Sequence, residues 1–210
     1  MNFLHTTQEC QDIIISIDTR HSSVAKAAIE AGADIVNDVS GGMHDRQMLS
    51  IVAEMGVPII LMHMRGNPKT MQSLTNYSES DGVVASVAND LMQRSAAAEA
   101  AGVHRWLHVL DPGIGFAKEM DGNLSLLKGA DVLRKSCGNI PFLFGPSRKG
   151  FIGKISGEDD PSKRHYGTIA ACLAALQNNG DLDAGNILRV HNVKAIKQAV
   201  MIYEAIRSAD

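Results

Sequence analysis

Short apolar runs alternate with longer amphipathic stretches along this chain, and each apolar run stops at a polar residue. Ile13-Ile-Ile-Ser-Ile17 is β-branched and continuous, the pattern of a strand buried on both faces, and it ends at Asp18-Thr19-Arg20. Ser22 is placed to cap an alanine-rich helix that runs to Gly32, and Asp34-Ile-Val36 is a second strand, ending in Asn37-Asp38. Positions 45–55 read as helix, and Val57-Pro-Ile-Ile-Leu-Met62 as a third strand, ending in His63-Met64-Arg65. The long polar segment from Gly66 to Glu79 has the make-up of a lid or binding loop.

The alternation continues. Positions 80–101 form a helix, Trp106-Leu-His-Val-Leu110 a fourth strand, and Asp111-Pro-Gly-Ile-Gly-Phe116 the turn after it. Positions 121–136 are helical, and Phe142 to Phe144, bounded by Pro141 and Gly145, is a fifth strand ending in Ser147-Arg148-Lys149. Pro161 and Ser162 start a helix through Leu176, Asn186-Ile-Leu-Arg-Val190 is a sixth strand, and 193–207 is an amphipathic helix. Strict β-then-α alternation argues a parallel sheet wound with helices. No G-x-G-x-x-G opens the first helix, which favours an α/β barrel of TIM type, (β/α)8, over an open doubly wound sheet. About 250 residues close the eight units of such a barrel. These 210 residues hold about six, so the expectation is an incomplete barrel in a single domain, 1–210, truncated at its N-terminus.

Composition changes the picture mainly by exclusion. A net charge of −3 and a pI near 6.2 supply no basic field for nucleic acid. No apolar run approaches the roughly 18 residues of a membrane span. The N-terminal residues lack the layout of a secretory signal, so the expected location is cytoplasmic, or mitochondrial if a further segment precedes. Cys10, Cys137 and Cys172 are far apart and odd in number, as in reduced, buried thiols. No zinc spacing, H-E-x-x-H or EF-hand loop is present.

What remains is a set of polar strand ends: Asp18, Asn37, His63, Asp111, Lys149, and Arg189 with His191. In a barrel they share one mouth, the face where such folds place chemistry. Short carboxylates and amides there suit a flat heterocycle rich in N–H and C=O groups, although each also suits the capping of its own turn. Phe116 is placed to wall such a ligand, with the glycines of its turn allowing close approach. Arg148, Lys149, Arg189 and His191 are a cationic group from the last two strands, suited to a phosphorylated substrate.

Together these residues spell a family. Ser16-Ile-Asp18-Thr, Ile35-Val-Asn37-Asp, Leu61-Met-His-Met64, Gly66-Asn-Pro-Lys-Thr-Met71, Asp111-Pro-Gly-x-Gly-Phe116, Ser147-Arg-Lys149 and Arg189-Val-His191 resemble the dihydropteroate synthases, pterin-binding enzymes of folate biosynthesis. The resemblance implies a transferase that condenses 6-hydroxymethyl-7,8-dihydropterin diphosphate with p-aminobenzoate, giving dihydropteroate and diphosphate. It implies Asp18, Asn37, Asp111, Lys149, Phe116, Gly145 and Met64 around the pterin, with Lys149 and Asp111 catalytic. Arg189 and His191 are implied at the diphosphate. Mg²⁺ is the implied cofactor, but the family's Asn-x-Thr-Pro-Asp-Ser-Phe-type loop, whose Asn coordinates it, does not occur in this sequence. The implied partners are these two small-molecule substrates, with a homodimer or a fusion to other folate-pathway domains; neither nucleic acid nor membrane is expected. The alternative is a catalytically incomplete pterin-binding fragment or partner subunit. A pterin-dependent methyltransferase is a third reading, against which the Ser147-Arg148-Lys149 turn argues.

Overall fold

A computed structural model describes residues 13–66, 69–77, 82–177 and 185–209. Cys10, the Asn67-Pro68 pair of the expected binding loop and the stretch 178–184 lie outside the described residues. The six strands are β1 (Ser16–Asp18), β2 (Ile35–Asp38), β3 (Ile59–Met62), β4 (His108–Asp111), β5 (Phe142–Phe144) and β6 (Asn186–Leu188). Helices α1 (Ser22–Glu30), α2 (Met48–Met55) and α3 (Val83–Ala100) follow the first three strands. After β4 come α4 (Met120–Lys128) and α5 (Ala130–Ser136), after β5 come α6 (Gly150–Ser156) and α7 (His165–Leu176), and α8 (Val193–Arg207) follows β6.

Every strand pair is parallel and the spatial order is the chain order, β1 to β6. A doubly wound sheet reverses its order at a switch point; an unreversed sequence is barrel winding, here of an incomplete barrel. Side chains alternate across each strand, so each residue's face follows from parity. Val36, Ile59, Leu61, Leu110, Phe142 and Phe144 share a core with Val52, Val87, Leu91, Leu126, Leu133 and Ile152 of the helices. The opposite parity forms the inner face. There Asp18 stands beside Asn37, Asn37 beside Ile60, Ile60 beside Val109, Met62 beside Asp111, and Leu143 beside Ile187.

Several local expectations change. β1 is not buried on both faces: it is an edge strand, and Ser16 and Asp18 are exposed. Ser22 does not cap α1. Its own N–H donates to Asp45 Oδ2 at 2.8 Å, so a carboxylate from the next loop serves that helix start. The fourth strand begins at His108, because Trp106 belongs to a 3-10 turn, 75% exposed and stacked on His104. The helix expected over 121–136 is two helices that meet at Gly129. A Cβ there would stand 2.9 Å from Val84 of α3, so the close crossing selects the residue that also breaks the helix. Pro161 and Ser162 lie in a 3-10 turn capped by Asp160, and α7 starts at His165. Helix α6 adds to the elements expected between β5 and Pro161; it holds Gly150 and Gly153 and ends at the left-handed Gly157. The expected burial of Cys137 and Cys172 holds, and burial pushes their thiols up to about 11 and about 12.

Candidate active site

Asp111 ends β4 on the inner face and is 1% exposed. Its Oδ1 accepts the Gly113 N–H at 2.7 Å, and its Oδ2 accepts from Arg189 Nη2 at 2.9 Å. Burial pushes its carboxyl above the ordinary range, against the lowering pull of Arg189, the Gly113 N–H, Lys118 and Lys149. Gly113 is required where it stands. Its φ is +68°, and a Cβ would run into the His63 carbonyl oxygen. The turn after β4 is thus laid directly on the end of β3.

Arg189 follows β6, its N–H donating to Phe144 O at 2.9 Å. Its guanidinium reaches across the mouth to Asp111 and to Asn37 Oδ1, 3.4 Å from Nη1. Gly145 makes the crossing possible, since a Cβ there would be 3.1 Å from Nη2. So four expected residues from β2, β4, β5 and β6 meet at one point: Asn37, Asp111, Gly145 and Arg189. Arg189, expected at the diphosphate, here lies on the carboxylate and amide expected to hold the pterin. Its side chain is 41% exposed, so the pair stands at the floor of an open mouth.

Lys149 joins this group from the turn after β5. Its Nζ is 4.3 Å from the centroid of the Phe116 ring, and its stem passes 3.0 Å from where a Cβ on Gly115 would stand. Burial pulls its ammonium below the ordinary lysine range, Asp111 opposes that, and Arg189 adds to it. Arg148 holds a left-handed backbone at φ +61°, with its N–H on Thr168 Oγ1 at 3.1 Å. Arg164 of the loop before α7 donates to the carbonyls of Arg148, Glu158 and Asp159 at 2.8 to 3.0 Å, so one guanidinium ties the lysine-bearing turn down. At the rim, Ser147 Oγ and His191 Nδ1 are 2.8 Å apart, and the His191 N–H donates to the same oxygen at 3.3 Å. With the hydroxyl donating to Nδ1, the ring carries its proton on Nε2, which is then a donor.

Two expected residues stand apart. Asp18 is exposed at the edge, in register with Asn37 but in the neighbouring strand. Met64 lines a cleft of about 570 Å³ with Gly41, Arg65 and Arg94, between α3 and the loops after β2 and β3. His63, at a strand end like the others, has the opposite parity and is fully buried.

Sequence reasoning missed the layer behind Asp111. Lys118 Nζ contacts Gly113 O (3.2 Å), Phe116 O (2.8 Å) and His63 Nδ1 (3.0 Å), and His63 Nε2 contacts Asp90 Oδ2 (2.9 Å). Arg94 donates to the Met62 and Met64 carbonyls, and Arg65 lies 3.9 Å over the Tyr77 ring. A single lysine two residues past a glycine turn reads as solvated charge, and no periodic signal marks it. Among the described residues no group of three or more His, Cys, Asp or Glu side chains could hold a metal ion. No helix among the described residues is long and apolar enough to cross a membrane.

The chain matches the family profile described as "Pterin binding enzyme" over residues 1–191. It is 42% identical over 195 residues to a dihydropteroate synthase from Synechocystis sp., covering 93% of this chain and 64% of that protein. It is 42% identical over 197 residues to folic acid synthesis protein fol1 of Pneumocystis carinii, of which it covers 26%. The chain therefore spans between about a quarter and two thirds of the length of these curated relatives. The solved dihydropteroate synthase of Thermus thermophilus in complex with 6HMPPP superposes with a TM-score of 0.84 at 37% identity, over 94% of this chain and 74% of that one. Motif set, unreversed barrel winding and a buried carboxylate at the strand ends agree with these likenesses: the chain belongs to the pterin-binding enzyme family.

Proposed function

We propose that this chain binds a dihydropterin diphosphate and takes part in its condensation with p-aminobenzoate, the dihydropteroate synthase reaction. The observation that carries the reading is the buried Asp111, with Asn37 and Lys149 beside it and Arg189 across the mouth. A carboxylate with two acceptor oxygens and an amide with both donor and acceptor suit the edge of a pterin ring. The 6HMPPP complex of the Thermus relative supports that ligand class.

In the ligand-free site Arg189 neutralises Asp111. Pterin entry exchanges that contact for pterin N–H donors, and the freed guanidinium, with His191 Nε2–H, faces the diphosphate at the rim. The bond from the pterin methylene carbon to the diphosphate oxygen then breaks, its electron pair leaving with the anion. The aromatic amine nitrogen attacks the cationic methylene, forms the C–N bond and loses a proton. Cations at the rim favour the departing anion, and a buried carboxylate favours the cationic ring system. A longer protein carrying other folate-pathway parts is the expected setting, which the length of the Pneumocystis relative supports.

Calorimetric titration of the 210-residue chain with the pterin diphosphate, then with p-aminobenzoate, tests this. Binding followed by diphosphate release is expected. Lys149→Ala and Asp111→Ala are each expected to abolish pterin binding with the circular dichroism spectrum unchanged. Wild-type affinity in both variants would overturn the site assignment.

A further inference from the structure

Behind Asp111, a buried cation is used by no step above. Lys118 is 5% exposed and follows the turn that carries Asp111 and Phe116. An ammonium has three N–H groups and no acceptor, and this one has three acceptors in range: Gly113 O, Phe116 O and His63 Nδ1. The third contact is compatible with only one histidine state. Burial foremost holds the His63 imidazole down to about 4, so the ring is neutral at ordinary pH. Asp90, itself held below the carboxylate range by that hydrogen bond, takes the Nε2–H, leaving Nδ1 as an acceptor. The turn after β4 is thus tied through Lys118 and His63 to Asp90 on α3.

We propose that Lys118 is a positioning residue of the pterin site: its ammonium fastens the Asp111–Phe116 turn to His63 and stands as a cation behind the Asp111 carboxylate. The inference rests on the pterin-binding reading for its ligand, and on geometry alone for the turn. A neutral amine keeps two N–H groups, so loss of the proton breaks one of the three ties. The acceptor released then faces the amine lone pair, and the fastening of the turn is weakened whichever of the three it is. The groups facing Lys118 are Asp111 from β4, Arg94 and Asp90 from α3, Arg65 after β3 and His63 at the end of β3. Burial pulls the ammonium down to about 7; Asp111 and Asp90 oppose that, and Arg94 and Arg65 add to it. All three contacts therefore hold below about 7, and one of them is lost above it.

The test reads both halves on the full chain. Amide exchange of residues 113–118 in ligand-free protein, corrected for the intrinsic pH dependence, is expected to accelerate between one unit below and one unit above about 7. In Lys118→Met it is expected to be fast at both pH values. A flat wild-type profile would overturn the proposal, with or without a folded variant. Calorimetry with the dihydropterin lacking its diphosphate is the second arm. Lys118→Met is expected to weaken binding roughly tenfold or more, the size of one charge-assisted hydrogen bond. It is also expected to move the acid limb of binding to higher pH, because removing a cation beside Asp111 raises the carboxyl further. Wild-type affinity and an unmoved acid limb would overturn the ligand half. If the wild-type chain binds no pterin at any pH, the functional reading falls, and the exchange profile still decides whether Lys118 holds the turn.

Discussion

Asp111 concentrates the conflict between stability and function into one side chain. A carboxylate held at 1% exposure is costly to ionise, and burial has moved its carboxyl above the ordinary range in spite of Arg189. The sign follows directly. A group whose folded value exceeds its unfolded value contributes stability that is complete below the unfolded value, about 3.9, and that disappears as pH rises through the folded one. Above its folded value the ionised Asp111 is therefore a cost to the fold. Asp111→Asn keeps the shape and the acceptor for Gly113 and removes that cost, while Arg189, 41% exposed, can turn to water. Its melting temperature at neutral pH is expected to equal or exceed that of the wild type, while pterin affinity falls by about 1.5–3 kcal/mol. Scanning calorimetry beside ligand titration checks both; a variant several degrees less stable would mean that the Arg189 pair outweighs burial. That Asp111 ends an apolar run was visible in the sequence. That Arg189 would lie across it was not, because the contact joins positions 78 residues apart and needs the empty space over Gly145.

Among the elements, the turn from Ser147 to Lys149 shows how a strained connection is held. Arg148 is a non-glycine residue in the left-handed region, a conformation that costs on the order of 1–3 kcal/mol and persists only where neighbours enforce it. Arg164 and Thr168 are those neighbours, and Gly153 of α6 leaves the space in which the guanidinium lies. A Cβ on Gly153 would come within 2.5 Å of Arg164 Cζ. Gly153→Ala, which by helix propensity alone would stabilise α6 by up to about 1 kcal/mol, is expected instead to destabilise the chain by about 1–3 kcal/mol through overpacking. Denaturant unfolding checks the sign, and a stabilised variant would show that Arg164 relocates freely. Of the glycines at Gly150, Gly153 and Gly157, which lower helix propensity, Gly153 is thus one selected by tertiary contact. The six strands were legible because short apolar runs between turn residues have few other solutions. Helix starts were not, since α1 borrows Asp45 from a loop 23 residues away from Ser22.

At the scale of the whole molecule, winding and unit count were readable from the sequence, and the surface they imply is the consequence. Among the described residues β1 and β6 each pair with one neighbour only, so two parallel edges face outward. Both are three-residue strands, and short edges limit templated pairing with other chains. The apolar surface beside them is less well guarded. Ile187, on the inner face of β6, is 41% exposed, and Val193, Met201, Ile202 and Ile206 of α8 are exposed well beyond that, Ile196 being the buried residue of that helix. Ile202 and Ile206 are four apart, so they stand as neighbours on one helical face. The 210-residue chain is expected to bind a hydrophobic dye in its folded state and to sediment as larger species when concentrated. Ile202→Glu with Ile206→Glu is expected to reduce both signals with little change in melting temperature, because neither side chain is buried in the monomer and surface substitutions usually stay within about 0.5 kcal/mol. A double variant that still associates to the wild-type extent would move the sticky surface from α8 to the strand edges, where Ile187→Lys is the corresponding substitution. Loss of stability in the double variant would mean instead that α8 packs its outer face in solution.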